Sequence, residues 1–473
     1  MRPEFIRSRL FRKGSNDLQT GEKKKKGFFS NPTRVIVSSF ALLILAGTVL
    51  LMLPFSSKAG HVTGPLEALF TATSATCVTG LVVFDTYVYW SVFGQIVILT
   101  LIQLGGLGLV TLTTFFNIAI RKKLGYKRLQ LAQESVNSPD TIDAKHLVKM
   151  IMVLTFSFEL LGAIALSATF VPAFGVEGIY ISLFLAISSY CNAGFDILGR
   201  TAAFASLTEY ASDPMVLIPI CLLIICGGLG FVVWQNLFSY HKTKRLLLHT
   251  KIVLSISAVF ILFGTLAFLF FEWDNRQTIG SMGVGDKLLN SFFQSVTTRT
   301  AGFNTIDLES MRGITKGLMI FLMFVGAAPG STGGGIKVTT FVVLVMTIIS
   351  VTRGSDETTI RGRKVDKSVV YKALAVTGLA GCAVIIAAGI IYFSTGHAES
   401  ISTVDAMFES VSAFATVGLS VGVSAAANHI SRVALILTMF LGRVGPVSLA
   451  LSLAMRPGKK KNQVMPEAKI LVG

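Results

Sequence analysis

Four short segments of this 473-residue chain carry groups suited to holding a small cation through backbone oxygens. They read Cys77-Val78-Thr79-Gly80-Leu81, Cys191-Asn192-Ala193-Gly194-Phe195, Thr300-Ala301-Gly302-Phe303 and Thr416-Val417-Gly418-Leu419. Cation selectivity at membrane depth is commonly built from carbonyls that replace the ion's water shell. Carbonyls converge on one axis only where the backbone takes conformations that a side chain obstructs, and glycine removes that obstruction. No turn contains a carboxylate, which argues against a divalent-binding ring of side chains. The candidate ion ligands are therefore Val78, Thr79 and Gly80; Asn192, Ala193 and Gly194; Thr300, Ala301 and Gly302; and Thr416, Val417 and Gly418. One such glycine alone reads as a helix-packing contact. Four in register do not.

Covalent chemistry finds no comparable pattern. There is no nucleophile–base constellation and no metal-ligand spacing, and the glycine-rich Gly326–Gly335 lacks the Gly-Lys-Ser/Thr ending of a phosphate loop. The expectation is a protein that is not an enzyme and carries no cofactor in this chain.

The elements that position these turns are legible from composition. The chain is 52% hydrophobic and only 14% charged, with a mean hydropathy of +0.68; a soluble domain carries roughly 25% charge. Val35–Pro54, Ile252–Phe271 and Ala373–Phe393 are apolar runs, long enough to cross a hydrocarbon core of about 30 Å as helices. Helix after helix lacks a polar face, which excludes a large soluble helical protein. Met1–Arg34 is basic, with Lys23–Lys26 in a row, and no signal peptide is readable there. The five cysteines lie in apolar segments without metal-ligand spacing, and their odd number argues against a disulfide framework.

A net charge of +17 raises the question of nucleic acid, and its placement answers it. Of 42 Lys and Arg, 32 fall in five clusters: the N-terminal arm, Arg121–Lys149, Lys242–Lys251, Arg353–Lys372 and Arg456 onward. The positive-inside rule puts these clusters and both termini in the cytoplasm of a multi-pass plasma (inner) membrane protein, with anionic lipid as their neighbour. Nucleic acid drops out as a partner.

Each interval between clusters reads alike: a long apolar helix, a shorter half-apolar stretch, a glycine turn, another long apolar helix. The turn glycines Gly80, Gly194, Gly302 and Gly418 are separated by 114, 108 and 116 residues. Ten positions before them stand Phe70, Phe184, Phe292 and Phe408, and six before them Ser74, Ser188, Val296 and Ser412. Internal repeats in transporters place the substrate site at the repeat interface. Leu66–Ala75, at about 15 Å as helix, covers half the core. A half-span must bury its irregular backbone in protein or against a water-filled cavity, and four of them need one shared cavity. The expected fold is all-α, with eight full spans and four half-helices. Four outer helix–pore loop–inner helix repeats stand in pseudo-fourfold arrangement around one pore. The expected divisions are a basic arm (1–34), repeats at 35–125, 126–245, 246–355 and 356–456, and a cytoplasmic tail (457–473).

Two further features lie in the inner helices. Gly326-Ala327-Ala328-Pro329-Gly330-Ser331-Thr332-Gly333-Gly334-Gly335 should break the third inner helix at mid-membrane, because Pro removes a donor and each Gly costs about 1 kcal/mol. A simple kink is the plainer alternative. Lys337 is expected to snorkel to the cytoplasm. Arg443 interrupts apolar Ser431–Met455, and an intramembrane charge is functional by default; the alternative is a structural ion pair with Glu159 or Glu409. Arg299 reads as a brace, and Asp196 and Asp307 either attract cations or are merely solvated.

These segments resemble the Trk/Ktr/HKT superfamily of potassium transporters, and within it the Ktr membrane subunit. The resemblance covers nearly the whole chain from about Asn31. It rests on Thr76–Leu81, Asn192–Phe195, Thr297–Asn304 and Ala415–Ser420. It implies that the four loops line one potassium filter, that 326–335 is an intramembrane gating loop, and that Arg443 is an electrostatic barrier beside it. Sodium-preferring plant relatives have serine in place of the first filter glycine, so Gly80 favours potassium. Trk-type relatives carry an additional N-terminal helix pair, whereas here one arm leads straight to the first outer helix, which points to the Ktr branch. By resemblance the chain works as a homodimer on a cytoplasmic ring of nucleotide-binding RCK subunits and takes up potassium, with sodium as a candidate activator. The alternatives are a sodium-coupled or sodium-preferring member of the superfamily and a twelve-span carrier of an organic solute.

Overall fold

The computed structural model describes residues 32–108, 111, 144–355, 357–396 and 401–445. The expected basic arm, most of the second basic cluster and the C-terminal tail lie outside the described residues. Within them the chain is helical, apart from a two-residue hairpin pairing Thr359–Ile360 with Arg363–Lys364 between the third and fourth repeats.

Four outer helices run Pro32–Met52, Ala144–Phe174, Leu248–Glu272 and Lys367–Ile391. All four are long and apolar enough to cross a membrane. Each turns large apolar side chains outward, among them Leu42, Leu161, Leu262 and Ile385. Lipid tails are as apolar as these side chains, so such a surface costs nothing in a bilayer.

After each outer helix comes a pore helix: Pro65–Cys77, Val176–Tyr190, Val284–Thr297 and Thr403–Ala415. At 13–15 residues each is roughly 20 Å long, short of a full crossing. All four carry an acid in the first turn (Glu67, Glu177, Asp286 and Asp405) and no basic residue in the last. Negative charge at the N-terminus complements the helix dipole. The bare C-termini leave its negative end directed at whatever lies in the centre.

The pore helices are also tied around a ring, each to the inner segment of the preceding repeat. Glu67 pairs with Arg432 at 2.7 Å and Asp405 with Lys316 at 2.8 Å. Asp286 accepts from Ser212 Oγ at 3.0 Å, and Tyr180 of the second pore helix donates to Gln95 at 3.2 Å. The in-register phenylalanines behave accordingly: Phe70, Phe184 and Phe408 are fully buried, while the third pore helix buries Phe293 and leaves Phe292 half-buried.

Among the inner spans the second departs from the expected continuous helix, and the third breaks where the glycine-rich segment was expected to break it. The first and fourth are described continuously only as far as Gly108 and Gly445. The inner spans run Val92–Leu107, Pro214–Gly228 followed by Phe231–Thr243 at 94°, Gly313–Phe324 followed by Val338–Thr352, and His429–Val444. Gly105, Gly227, Gly326 and Gly442 stand at or near the ends of these helices, 24 to 33 residues after the filter glycines. A methyl group on Gly105, Gly227 or Gly442 would overlap the carbonyl oxygen of Thr76, Tyr190 or Phe414, the residue four before each filter glycine. The inner helix thus seats against the last turn of its own pore helix, and only glycine allows that approach.

Candidate ion pathway

The four glycine turns meet at the centre. A methyl group on Gly80 would lie 2.5 Å from the Ala193 carbonyl oxygen, one on Gly194 2.6 Å from that of Ala301, and one on Gly302 2.5 Å from that of Val417. One on Gly418 would overlap the carbonyl oxygen of Thr79. Each glycine therefore abuts the next loop in the order one, two, three, four and back to one: a closed ring.

The local backbone explains what the ring presents. Val78, Asn192, Thr300 and Thr416, two positions before each glycine, have φ of 58°, 59°, 71° and 52°. The glycines have φ of 95°, 68°, 86° and 91°, and the intervening residues are on the negative side. Alternating the sign of φ turns successive carbonyls to the same side of the strand. Positive φ at a β-branched residue is strained by about 1–3 kcal/mol, a kind of strain that clusters at functional sites. Among the described residues the carbonyls of 78, 79, 192, 193, 300, 301, 416 and 417 accept no hydrogen bond. The buried hydroxyls of Thr76, Thr79, Thr300 and Thr416 have no partner either. Buried oxygens are almost always paired, so this column of neutral oxygens is built for a ligand that supplies only positive charge or hydrogens. The column is formed by Val78–Gly80, Asn192–Gly194, Thr300–Gly302 and Thr416–Gly418, and no carboxylate stands among them.

Seryl hydroxyls hold two of the strands from behind. Ser74 Oγ accepts the Gly80 N–H at 3.1 Å and Ser412 Oγ the Gly418 N–H at 3.1 Å. The third repeat, with Val296 at that place, uses Thr297 instead, whose hydroxyl donates to the Phe303 carbonyl at 2.6 Å.

On the outer side a cavity of about 260 Å³ opens onto the ring, lined by the four glycines and by Asp85, Asp196, Asp307 and Glu309. Asp85 accepts from the N–H groups of Val88 at 2.7 Å and Phe204 at 2.8 Å, joining the first two loops. Asp196 and Asp307 stand in the wall of the approach.

On the inner side the segment between the halves of the third inner helix lies against the loops. Thr332 donates to Asn192 Oδ1 at 2.8 Å. Gly333 and Gly334 press so closely on the hydroxyls of Thr300 and Thr416 that neither has room for a methyl group. The segment is also bonded to the break in the second inner helix: Ala328 N to Gly228 O at 3.1 Å, Phe231 N to Gly330 O at 2.9 Å and Thr332 N to Gly227 O at 3.4 Å. A kinked helix would keep its own ladder; this is a loop folded onto three of the four filter strands. Lys337 departs from expectation. Its Nζ turns back to the Gly333 carbonyl at 2.7 Å, capping the loop rather than reaching for water.

Arg443 is half-buried, and its head group lies among carbonyls. Its guanidinium donates to Thr332 O in the loop, to Gly105 O at 2.5 Å and to Gly106 O at 3.3 Å. It does not pair with the two carboxylates offered as alternatives: Glu159 accepts from Gln103 at 2.9 Å, and Glu409 from Ser420 and Ser424. Its charge is held in place but not neutralised. Arg299 is buried, with its guanidinium over the Phe260 ring at 5.5 Å. Sequence reading missed the seating glycines Gly105, Gly227 and Gly442, although the Gly-Gly-Leu-Gly at 105–108 and 227–230 signalled the first two. It also missed the first-turn acids.

Fold and site together define a membrane protein with four pore loops around a single path for a monovalent cation. The chain belongs to the TrkH family of cation transport proteins, whose profile matches residues 5–464. It is 39% identical to the Ktr system potassium uptake protein B of Bacillus subtilis over 446 residues, covering 93% of this chain and 97% of that one. It is 36% identical to the potassium/sodium uptake protein NtpJ of Enterococcus hirae over 445 residues, covering 94% and 97%. The crystal structure of the potassium transporter TrkH from Vibrio parahaemolyticus shares the fold with a TM-score of 0.68 at 16% identity, over 92% of this chain and 86% of that one.

Proposed function

We propose that this chain is the ion-translocating subunit of a Ktr-type potassium uptake system. The observation that carries the reading is the ring of four glycines enclosing carbonyls without protein partners. Such oxygens replace the shell of a weakly hydrated monovalent ion, and the absence of carboxylate in the turns disfavours a divalent one. The Ktr-named relatives over nearly the full chain support potassium as that ion. Uptake of rubidium or potassium by liposomes holding the purified chain, without other solutes, tests the reading; a chain that passes neither ion overturns it.

Four finer statements belong to the same proposal. The loop 326–335 is a gate, closed when it lies against Asn192, Thr300 and Thr416. Arg443 holds that gate and adds a positive barrier beside it. The chain acts as a homodimer on a cytoplasmic ring of RCK subunits, as its resemblance to the Ktr branch implies. It lies in a bacterial plasma membrane with both termini inside. Sodium as a coupled or activating ion is the second reading, favoured by the potassium/sodium name of the Enterococcus relative; sodium flux in the same liposomes separates the two.

A further inference from the structure

Glu409 on the fourth pore helix is fully buried, nine positions before Gly418. The corresponding positions in the other repeats are Thr71, Leu185 and Phe293, so a charged group stands here in one repeat of four. Its Oε1 accepts from Ser420 Oγ at 2.9 Å, from Ser424 N at 3.0 Å and from Ser424 Oγ. Ser420 Oγ in turn accepts the Gly422 N–H at 3.1 Å. Ser420, Val421 and Gly422 line the outer cavity immediately beyond Gly418. The fourth filter strand is thus held on both sides: Ser412 takes the Gly418 N–H from behind, and Glu409 gathers the segment that follows.

We propose that Glu409 is a positioning residue for ion preference, acting through Ser420 and Ser424 on the fourth filter strand. The proposal rests on the reading of the four turns as a potassium filter. A carbonyl cage discriminates between ions by how far its oxygens can close on the smaller one. A strand fixed at both ends resists closure, whereas a strand freed beyond Gly418 lets the Val417 and Thr416 carbonyls follow a smaller ion inward. A buried acceptor that takes three hydrogen bonds from two serines is a firm anchor, because breaking any of them leaves a buried polar group unpaired.

The test is sodium competition against rubidium influx, per molecule of inserted full-length protein, in liposomes. Glu409→Ala, and separately Ser424→Ala, should make sodium at least threefold more effective as a competitor. Glu409→Gln, which keeps an acceptor of the same shape, should stay within twofold of the parent. A mere staple between helix and loop would lower the amount of inserted protein or the maximal influx while leaving the competition ratio unchanged, and that result overturns the proposal. If Glu409→Ala does not insert, Ser424→Ala and Ser420→Ala carry the test. A parent chain that passes no rubidium at all overturns the filter reading and this inference with it; a parent that passes rubidium with unaltered ratios in every variant overturns this inference alone.

Discussion

Arg443, near the end of the fourth inner helix, donates a hydrogen bond to the carbonyl oxygen of Thr332, in the loop that interrupts the third. The same guanidinium reaches Gly105 and Gly106 at the end of the first inner helix. One side chain therefore joins three repeats immediately inside the filter. Whatever withdraws the loop must break or carry these bonds.

Arg443→Ala should raise rubidium influx per inserted molecule by roughly tenfold, since hydrogen bonds to charged groups contribute about 1.5–3 kcal/mol and about 1.4 kcal/mol is a factor of ten. Arg443→Lys keeps the charge but not the planar fork that spans three carbonyls, and should fall between parent and Ala. A drop in influx for both variants at equal expression would refute the clamp.

Gly80→Ser places a side chain where φ is +95° and the Ala193 carbonyl is 2.5 Å away. It should weaken potassium uptake and strengthen sodium competition. Gly60→Ala is the control: its φ is +71° with nothing within 4 Å, so only backbone strain, on the order of 1 kcal/mol, is incurred. Equal ion preference in the two variants would argue against the ring as the discriminating element.

Thr332→Val keeps the shape of the loop residue and removes its bond to Asn192. A net loss of about 1 kcal/mol should release the loop modestly, by about fivefold in basal flux. Gly230→Ala acts harder, because its φ is +88° and its methyl group would meet the Pro329 carbonyl at 2.7 Å. Flux without the proposed cytoplasmic RCK subunit, compared with flux in its presence, is the measurement. Unaltered dependence on that subunit in both variants would reduce the segment to a passive plug.

External pH should modulate uptake through the vestibule. Burial, with the neighbouring Asp85 carboxylate adding to it, raises the Asp196 carboxyl from 3.8 to about 6. The group is charged above that value and neutral below it, so its attraction for cations is present near neutrality and is lost as the outside is acidified through about pH 6. A unit charge roughly 8 Å from the ion contributes about 0.5–1 kcal/mol at an effective dielectric of about 40–80. Apparent affinity should therefore fall two- to fivefold between about pH 7.5 and 5, and Asp196→Asn should flatten the profile at the weaker value. A variant whose affinity still falls across that window would assign the effect elsewhere.

Much of this was open to sequence reasoning because the filter is made of backbone. Gly80, Gly194, Gly302 and Gly418 recur at nearly even intervals since each must take a positive φ against a neighbouring loop, a demand that only residue type can meet. The break at 326–335 was legible for a similar reason: Pro329 and its glycines forbid a helix whatever surrounds them. The break at Gly227–Gly230 is written in the same alphabet, but two glycines in an apolar run are equally compatible with a continuous span, and the deciding contact is with Tyr190 in another element.

The partners of the charged groups are of another kind. For Arg443 the alternative to an ion barrier was a pair with Glu159 or Glu409, and its guanidinium meets the carbonyls of Thr332, Gly105 and Gly106 instead of either carboxylate. Lys337 was expected in water and caps Gly333. Glu409 was offered as a counter-ion and instead holds Ser420 and Ser424. The chain by itself determined a membrane protein, a fourfold repeat and a neutral oxygen filter, because hydropathy and glycine conformation are properties of residues and their spacing. Only the tertiary structure decided which carbonyl each buried donor reaches, because every residue carries the same carbonyl and nothing but proximity distinguishes one from the next.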